Sequence, residues 1–185
     1  MASTLVESLA AGDPDAFAAL YDRLAVRLLG AARTLTGSAA DAEDVVQDLF
    51  VDLARGRARL VAVIDLEAYV FTMLRNAVRR RGRRAAIDRR AVLAIAAGRH
   101  ATGRHDAGVS GEAGAAMHLP DDALAAAVAA LPDAQREVVA LKFDAGLTFA
   151  EIAAVTGTSL NTAASRYRYA LEKLRGSLAE TEDER

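Results

Sequence analysis

One stretch, residues 147–175, leaves this chain few ways to fold. It reads Leu-Thr-Phe-Ala-Glu-Ile-Ala-Ala-Val-Thr-Gly-Thr-Ser-Leu-Asn-Thr-Ala-Ala-Ser-Arg-Tyr-Arg-Tyr-Ala-Leu-Glu-Lys-Leu-Arg. Thr148 and Glu151 have the spacing of a capping box, in which each side chain satisfies a backbone N–H at a helix start. Ile152, Ala153 and Val155 give the helix that follows an apolar side. Gly157 suits the left-handed position that ends a helix, because it has no Cβ to clash. Ser159 can then N-cap a second helix. Leu160, Ala163, Tyr167, Ala170 or Leu171, and Leu174 recur at helical spacing and are expected to face inward. The opposite face holds Asn161, Thr162, Ser165, Arg166, Arg168 and Tyr169, which can hydrogen-bond phosphates and base edges. Two helices about a tight glycine turn, the second polar and basic outside, read as a DNA-binding helix-turn-helix. A plain helical hairpin with a solvated face fits the same residues.

Upstream, the pattern is helical throughout. Alanine is abundant, alternating β-branched runs are missing, and there are 3 prolines, which together point to an all-α protein. Asp13 and Pro14 suit a helix start. Phe17, Leu20, Tyr21 and Leu24 follow, and Leu28, Leu29, Ala32 and Leu35 continue the stripe, with a break allowed near residues 23–25. A second helix is predicted over 39–55, with Ala42, Val45, Val46, Leu49, Phe50 and Leu53 at period 3.6. Its other side is an acidic line of Asp41, Asp44, Asp48 and Asp52. That line fits a solvated face, a docking site for a basic partner, or, with no His or Cys nearby, weakly a metal site.

Residues 56–65 read as a loop with apolar Leu60, Val61, Val63 and Ile64. A helix resumes at Leu66, apolar through Tyr69, Phe71 and Leu74, then strongly basic at Arg75, Arg79, Arg80, Arg81, Arg83 and Arg84. Such a helix can sit in a core and reach out to a polyanion. Aromatic rings just before the arginines favour unpaired nucleic acid, on whose bases rings stack. A solvated basic segment or a membrane-surface patch is the competing reading. Residues 91–97 suggest a short apolar helix, and 98–117 a linker. His100, His105 and His118 lie in or beside it at no ligand spacing. Further helices are expected from Leu119 and Leu131, the latter carrying Val138, Val139, Leu141 and Phe143 and ending at Gly146.

The net charge of −2 hides this division into acidic and basic stretches, and the division bears on partners more than the sum does. With 0 cysteines there is no disulfide framework and no thiolate metal site, which is compatible with a reducing cytosol. No apolar run approaches the ~20 residues that cross a bilayer, and residues 1–12 do not read as a signal peptide. Nucleotide-binding loops, a nucleophile elbow and a Cys nucleophile are missing, so an enzyme is not expected. No cofactor or metal is expected either.

In order and spacing, these parts resemble the extracytoplasmic-function (ECF) sigma factors of bacterial RNA polymerase, within the sigma-70-like family. The resemblance covers residues 12–84 and 131–175. It rests on Gly12-Asp13-Pro14-Asp15-Ala16-Phe17; Leu35-Thr36-Gly37 with Asp41-Ala42-Glu43-Asp44-Val45-Val46-Gln47-Asp48-Leu49-Phe50; and Leu74-Arg75-Asn76. In the second half it rests on Leu131-Pro132, Gln135-Arg136-Glu137-Val138, Gly146-Leu147-Thr148, Glu151-Ile152-Ala153 and Ser165-Arg166. It implies two helical domains joined by a flexible linker: sigma region 2 at 1–90, linker 91–120, region 4 at 121–178 and an acidic tail at 179–185. Asp44, Gln47, Asp48 and Leu49 would dock on the β′ clamp helices of core RNA polymerase. Arg57, Arg59, Tyr69, Arg75, Asn76, Arg79, Arg80 and Arg83 would capture the −10 strand of promoter DNA. Ser159, Asn161, Thr162, Ser165, Arg166, Arg168 and Tyr169 would read the −35 duplex, with region 4 also touching the β flap. An anti-sigma factor is implied as a further partner, and the location implied is cytoplasmic, without membrane insertion. Tyr69 stands where the family often has Trp, Asn161 where it often has Gly, Ala164 where it often has a basic residue, and Tyr169 where it often has Arg. An altered −35 preference is therefore expected from Asn161, Ala164 and Tyr169. The rival readings are a stand-alone helix-turn-helix regulator and a helical adaptor that binds no DNA.

Overall fold

A computed structural model describes residues 2–99 and 120–183, and no strand occurs among them. The helices are α1 (Ala2–Ala11), α2 (Pro14–Thr36), α3 (Ala39–Arg55), α4 (Leu66–Arg99), α5 (Pro120–Ala129), α6 (Asp133–Val139), α7 (Phe149–Thr156) and α8 (Leu160–Asp183). A 3₁₀ turn, Arg57–Ala62, separates α3 from α4, and α6 runs on into a π turn, Ala140–Asp144.

Local chemistry explains the boundaries. The Asp13 side chain accepts the Asp15 N–H at 3.0 Å, and Pro14 occupies the first turn of α2. Ser38 accepts the Asp41 N–H at 3.2 Å and so starts α3. The break allowed near residues 23–25 does not occur. Leu20, Leu24 and Leu28 are all fully buried and keep α2 in phase for 23 residues. Likewise, residues 91–97 form no separate helix, because α4 continues to Arg99. The chain thus stays helical beyond residue 90, where the linker was expected, and the rest of that segment, with His100, His105 and His118, lies outside the described residues.

The core of the first half joins Leu20, Leu24 and Leu28 of α2 to Val45, Val46, Leu49 and Leu53 of α3 and Val70, Phe71 and Leu74 of α4. Leu9 of α1 and Leu60 of the 3₁₀ turn close one end of it. Burial of each such side chain contributes about 1.5–3 kcal/mol. The segment read as an apolar loop therefore divides: Leu60 is an inward anchor, while Val61 and Ile64 are exposed.

In the second half, Thr148 and Glu151 form the expected capping box. Glu151 accepts the Thr148 N–H at 2.6 Å, and Thr148 Oγ1 accepts the Glu151 N–H at 3.3 Å. Gly157 has φ of 66° and ends α7, its N–H bonding the Ala153 carbonyl. Ser159 Oγ accepts the Thr162 N–H at 3.1 Å and starts α8. Two expected inward residues are not inward. Leu160 is half exposed at the first turn of α8, and Phe143 lies out on the π turn.

The two halves pack together. One continuous apolar cluster runs from α1–α4 into Val138, Ala140, Leu141, Ala145, Leu147, Ile152 and Val155. A smaller cluster of Leu131, Val139, Ala170 and Leu174 ties α6 to α8.

Candidate polymerase and nucleic-acid surfaces

The basic half of α4 meets carboxylates on two sides. Toward α3, Arg81 pairs with both Asp41 and Asp44, its Nε donating to Asp41 at 3.0 Å and Nη2 reaching Asp44 at 3.0 Å. The Asp41 hydrogen bond, reinforced by the charges of Asp41 and Asp44, holds the Arg81 guanidinium above its ordinary value despite some desolvation. Arg80 Nη2 lies 3.6 Å from Asp52. Between the helices runs a polar cleft of about 860 Å³, with Asp48, Asp52 and Arg84 on its walls.

Toward the second half, Arg75 and Arg79 share one carboxylate, that of Glu137 on α6. Arg75 Nε donates to Oε1 at 2.6 Å and Arg79 Nη2 to Oε2 at 3.3 Å. Glu137 is only 6% exposed. Arg75 Nη2 also caps the C-terminal end of α7 by donating to the Thr156 carbonyl at 3.3 Å. From α2, Arg27 Nε donates to the Ala145 carbonyl at 2.6 Å, its guanidinium lying 5.3 Å from the Phe71 ring centroid. Thr34 Oγ1 donates to Asp144 at 2.7 Å.

The residues expected at the −10 strand therefore fall into distinct settings. Arg57, Arg59, Asn76 and Arg83 are exposed, Tyr69 is half-buried at the head of α4, and Arg75, Arg79 and Arg80 are engaged by acids. Among those expected at the polymerase, Asp44, Gln47 and Asp48 are exposed. Leu49 is not available: it is 1% exposed, on the apolar stripe that packs α3 into the core. It leaves the candidate set, because a side chain already filling the core cannot also fill a partner.

On α8, Ser159, Asn161, Arg168 and Tyr169 are exposed, and Thr162, Ser165 and Arg166 are half-buried. The Arg168 guanidinium lies 5.1 Å from the Tyr169 ring centroid and its Nε 4.0 Å from Glu172. The inner face is Ala163, Ala170 and Leu174, with Tyr167 edge-on to Phe149 at 5.6 Å. The expected reading residues thus share one side of a well-anchored helix. Among the described residues no cluster of His, Cys, Asp and Glu is suited to a metal, and no helix is long and apolar enough to cross a membrane.

Arg27, Thr34 and Asp144 were not singled out from the sequence, and Arg81 and Glu137 stood out only within the basic run and a family motif, with no hint of what they pair with. Their partners lie 37–118 positions away along the chain, and nothing local marks them.

Comparison with known proteins decides the family. The Sigma-70 region 2 model matches residues 20–87 and the Sigma-70 region 4 model residues 121–174. The ECF RNA polymerase sigma factor SigL of Mycobacterium tuberculosis is 33% identical over 95% of this chain and 96% of its own length. The chain belongs to the ECF RNA polymerase sigma factors. SigK of Mycobacterium ulcerans is 29% identical over 95% of the chain and 92% of that protein. Among solved structures, CnrH in complex with the cytosolic domain of CnrY superposes with a TM-score of 0.67 at 28% identity, covering 96% of this chain and 97% of CnrH. The Bartonella quintana sigma factor RpoE, bound to the anti-sigma factor NepR, has the same fold, with a TM-score of 0.61 at 23% identity over 86% of this chain and 96% of its own. This sigma factor directs transcription initiation. A stand-alone helix-turn-helix regulator is not favoured, because residues 20–87 form a second family module that such a protein would not need. Sigma factors are not enzymes; they redirect one.

Proposed function

We propose that the two halves read a promoter in two physical forms. Region 2 captures the −10 element as an unpaired strand through Arg57, Arg59, Tyr69, Arg75, Asn76, Arg79, Arg80 and Arg83. Region 4 lays α8 in the major groove of the −35 duplex through Ser159, Asn161, Thr162, Ser165, Arg166, Arg168 and Tyr169, and touches the β flap. Asp44, Gln47 and Asp48 dock on the β′ clamp helices of core polymerase. The observation that carries this reading is the outward face of α8: its polar and basic residues stand opposite a packed apolar seam and behind a capped glycine turn. Unstacking a base step costs a few kcal/mol, so strand capture and polymerase binding together must offset melting. Phosphate contacts make DNA affinity fall steeply with salt.

We assign functional boundaries at 1–90 for region 2, 91–120 for the connection, 121–178 for region 4 and 179–185 for the acidic end. CnrH and RpoE were solved with protein partners, which supports a regulatory anti-sigma partner for this chain as well. The proposed site of action is the cytoplasm, where the polymerase works. Run-off transcription with core polymerase on a promoter library, with and without the chain, tests the reading. Chain-dependent initiation on a subset of promoters is expected, and none on any promoter would refute it.

A further inference from the structure

Region 4 is seated on the arginines through which region 2 is proposed to hold DNA. Glu137 brings one buried carboxylate to both Arg75 and Arg79. A carboxylate and a phosphate offer a guanidinium the same kind of charged oxygen pair. While the bond lasts, neither arginine presents its full donor set to a strand. The contact is not a lone surface pair, because a second line of contacts holds the same seam. Arg27, Gly30 and Thr34 fall on one face of α2 and meet residues 144 and 145. Gly30 permits that approach: a Cβ there would lie 3.2 Å from the Asp144 Cβ. By contrast, the outward face of α8 is left uncovered.

We propose that Glu137 is an autoinhibitory clasp. In the free chain it occupies Arg75 and Arg79 as an internal phosphate surrogate, masking the −10 strand surface while the −35 surface stays open, until the halves part. The proposal rests on the reading that Arg75 and Arg79 hold the strand. A buried ion pair adds little net stability, yet losing one partner leaves a costly unpaired charge. Glu137 is thus suited to fixing which surface is covered rather than to adding strength. Parting the halves becomes affordable only when an anion replaces the carboxylate and the apolar seam finds another partner.

The test uses the full chain and a fluorescent oligothymidylate, since phosphate capture is sequence-neutral. Glu137→Gln, close in shape, should bind this strand about tenfold tighter than the parent, the worth of one charge-assisted hydrogen bond. The chain has 0 cysteines, so Gly30→Cys plus Asp144→Cys installs a clean lock, its Cβ atoms 3.2 Å apart and within a small shift of the ~3.5–4.5 Å that a disulfide needs. The pair should oxidise in the free chain. Added to Glu137→Gln, oxidation should erase the gain and a reductant restore it. In the parent background the oxidised lock should abolish run-off initiation reversibly. Equal strand binding by Glu137→Gln and parent, a gain that survives oxidation, or a pair that fails to oxidise would each overturn the clasp. The readings separate through Arg75→Ala. If it weakens capture by the Glu137→Gln chain while Glu137→Gln itself gains nothing, the clasp alone fails. If it leaves capture unchanged, the −10 assignment fails and takes the clasp with it.

Discussion

Asp44 and Asp48 stand one turn apart on α3 and meet different surroundings. Asp44 is already paired with Arg81, whereas Asp48 lines the open cleft toward α4. The Asp44 pair is exposed, and exposed pairs contribute at most about 1 kcal/mol, so reversing both charges should leave the fold intact. It should nevertheless weaken binding to core polymerase by about tenfold or more, since the two attractions proposed toward the clamp helices become repulsions. Titration of labelled core polymerase checks this, and an unchanged Kd would remove the acidic line from the interface. Leu49 shows where reading by motif fails. It belongs to the stripe Val45, Val46, Leu49 and Leu53, whose period places it inside, yet its position within an acidic motif suggested a partner. Helical phase was the stronger signal, because the face a residue occupies is set by the backbone and its neighbours in sequence merely share the motif.

At the scale of elements, most boundaries were legible because the cause is local. Asp13, Ser38, Thr148 with Glu151, Gly157 and Ser159 each act within a few residues of themselves. α1 escaped notice although Leu5, Val6 and Leu9 recur at helical steps, because its support is the 3₁₀ turn some fifty residues on. The capping box also has a pH signature. The Glu151 carboxyl is lowered from 4.5, chiefly by the Thr148 hydroxyl and then by the Thr148 N–H. A lowered folded value means that the contribution is present above the unfolded value and is lost as pH falls through the folded one. Glu151→Gln should therefore melt below the parent near neutral pH, and the gap should narrow steadily below about pH 4.5. Thermal melts of both chains across that range would show it. A gap that stays constant with pH would mean that the charge of Glu151 contributes nothing to the cap.

For the whole molecule, the seam between the halves is what no local pattern reveals. Two modules with separate family matches suggest two independent folding units, and a flexible connection was the natural expectation. The apolar cluster contradicts independence, since Leu28, Phe71 and Leu74 share it with Leu141, Leu147 and Ile152. A core common to both halves couples their unfolding, because neither can open without exposing the apolar face of the other. The free chain should then melt in one calorimetric transition with equal calorimetric and van't Hoff enthalpies. Leu141 is 1% exposed on the π turn, so Leu141→Ala should cost about 2–5 kcal/mol and lower that single transition by about 5–15 °C. Scanning calorimetry separates the cases. If the halves are independent, the parent gives two transitions and Leu141→Ala moves only the one belonging to region 4. If the seam is shared, both halves move together, and whatever opens the chain must supply the apolar surface that the seam gives up.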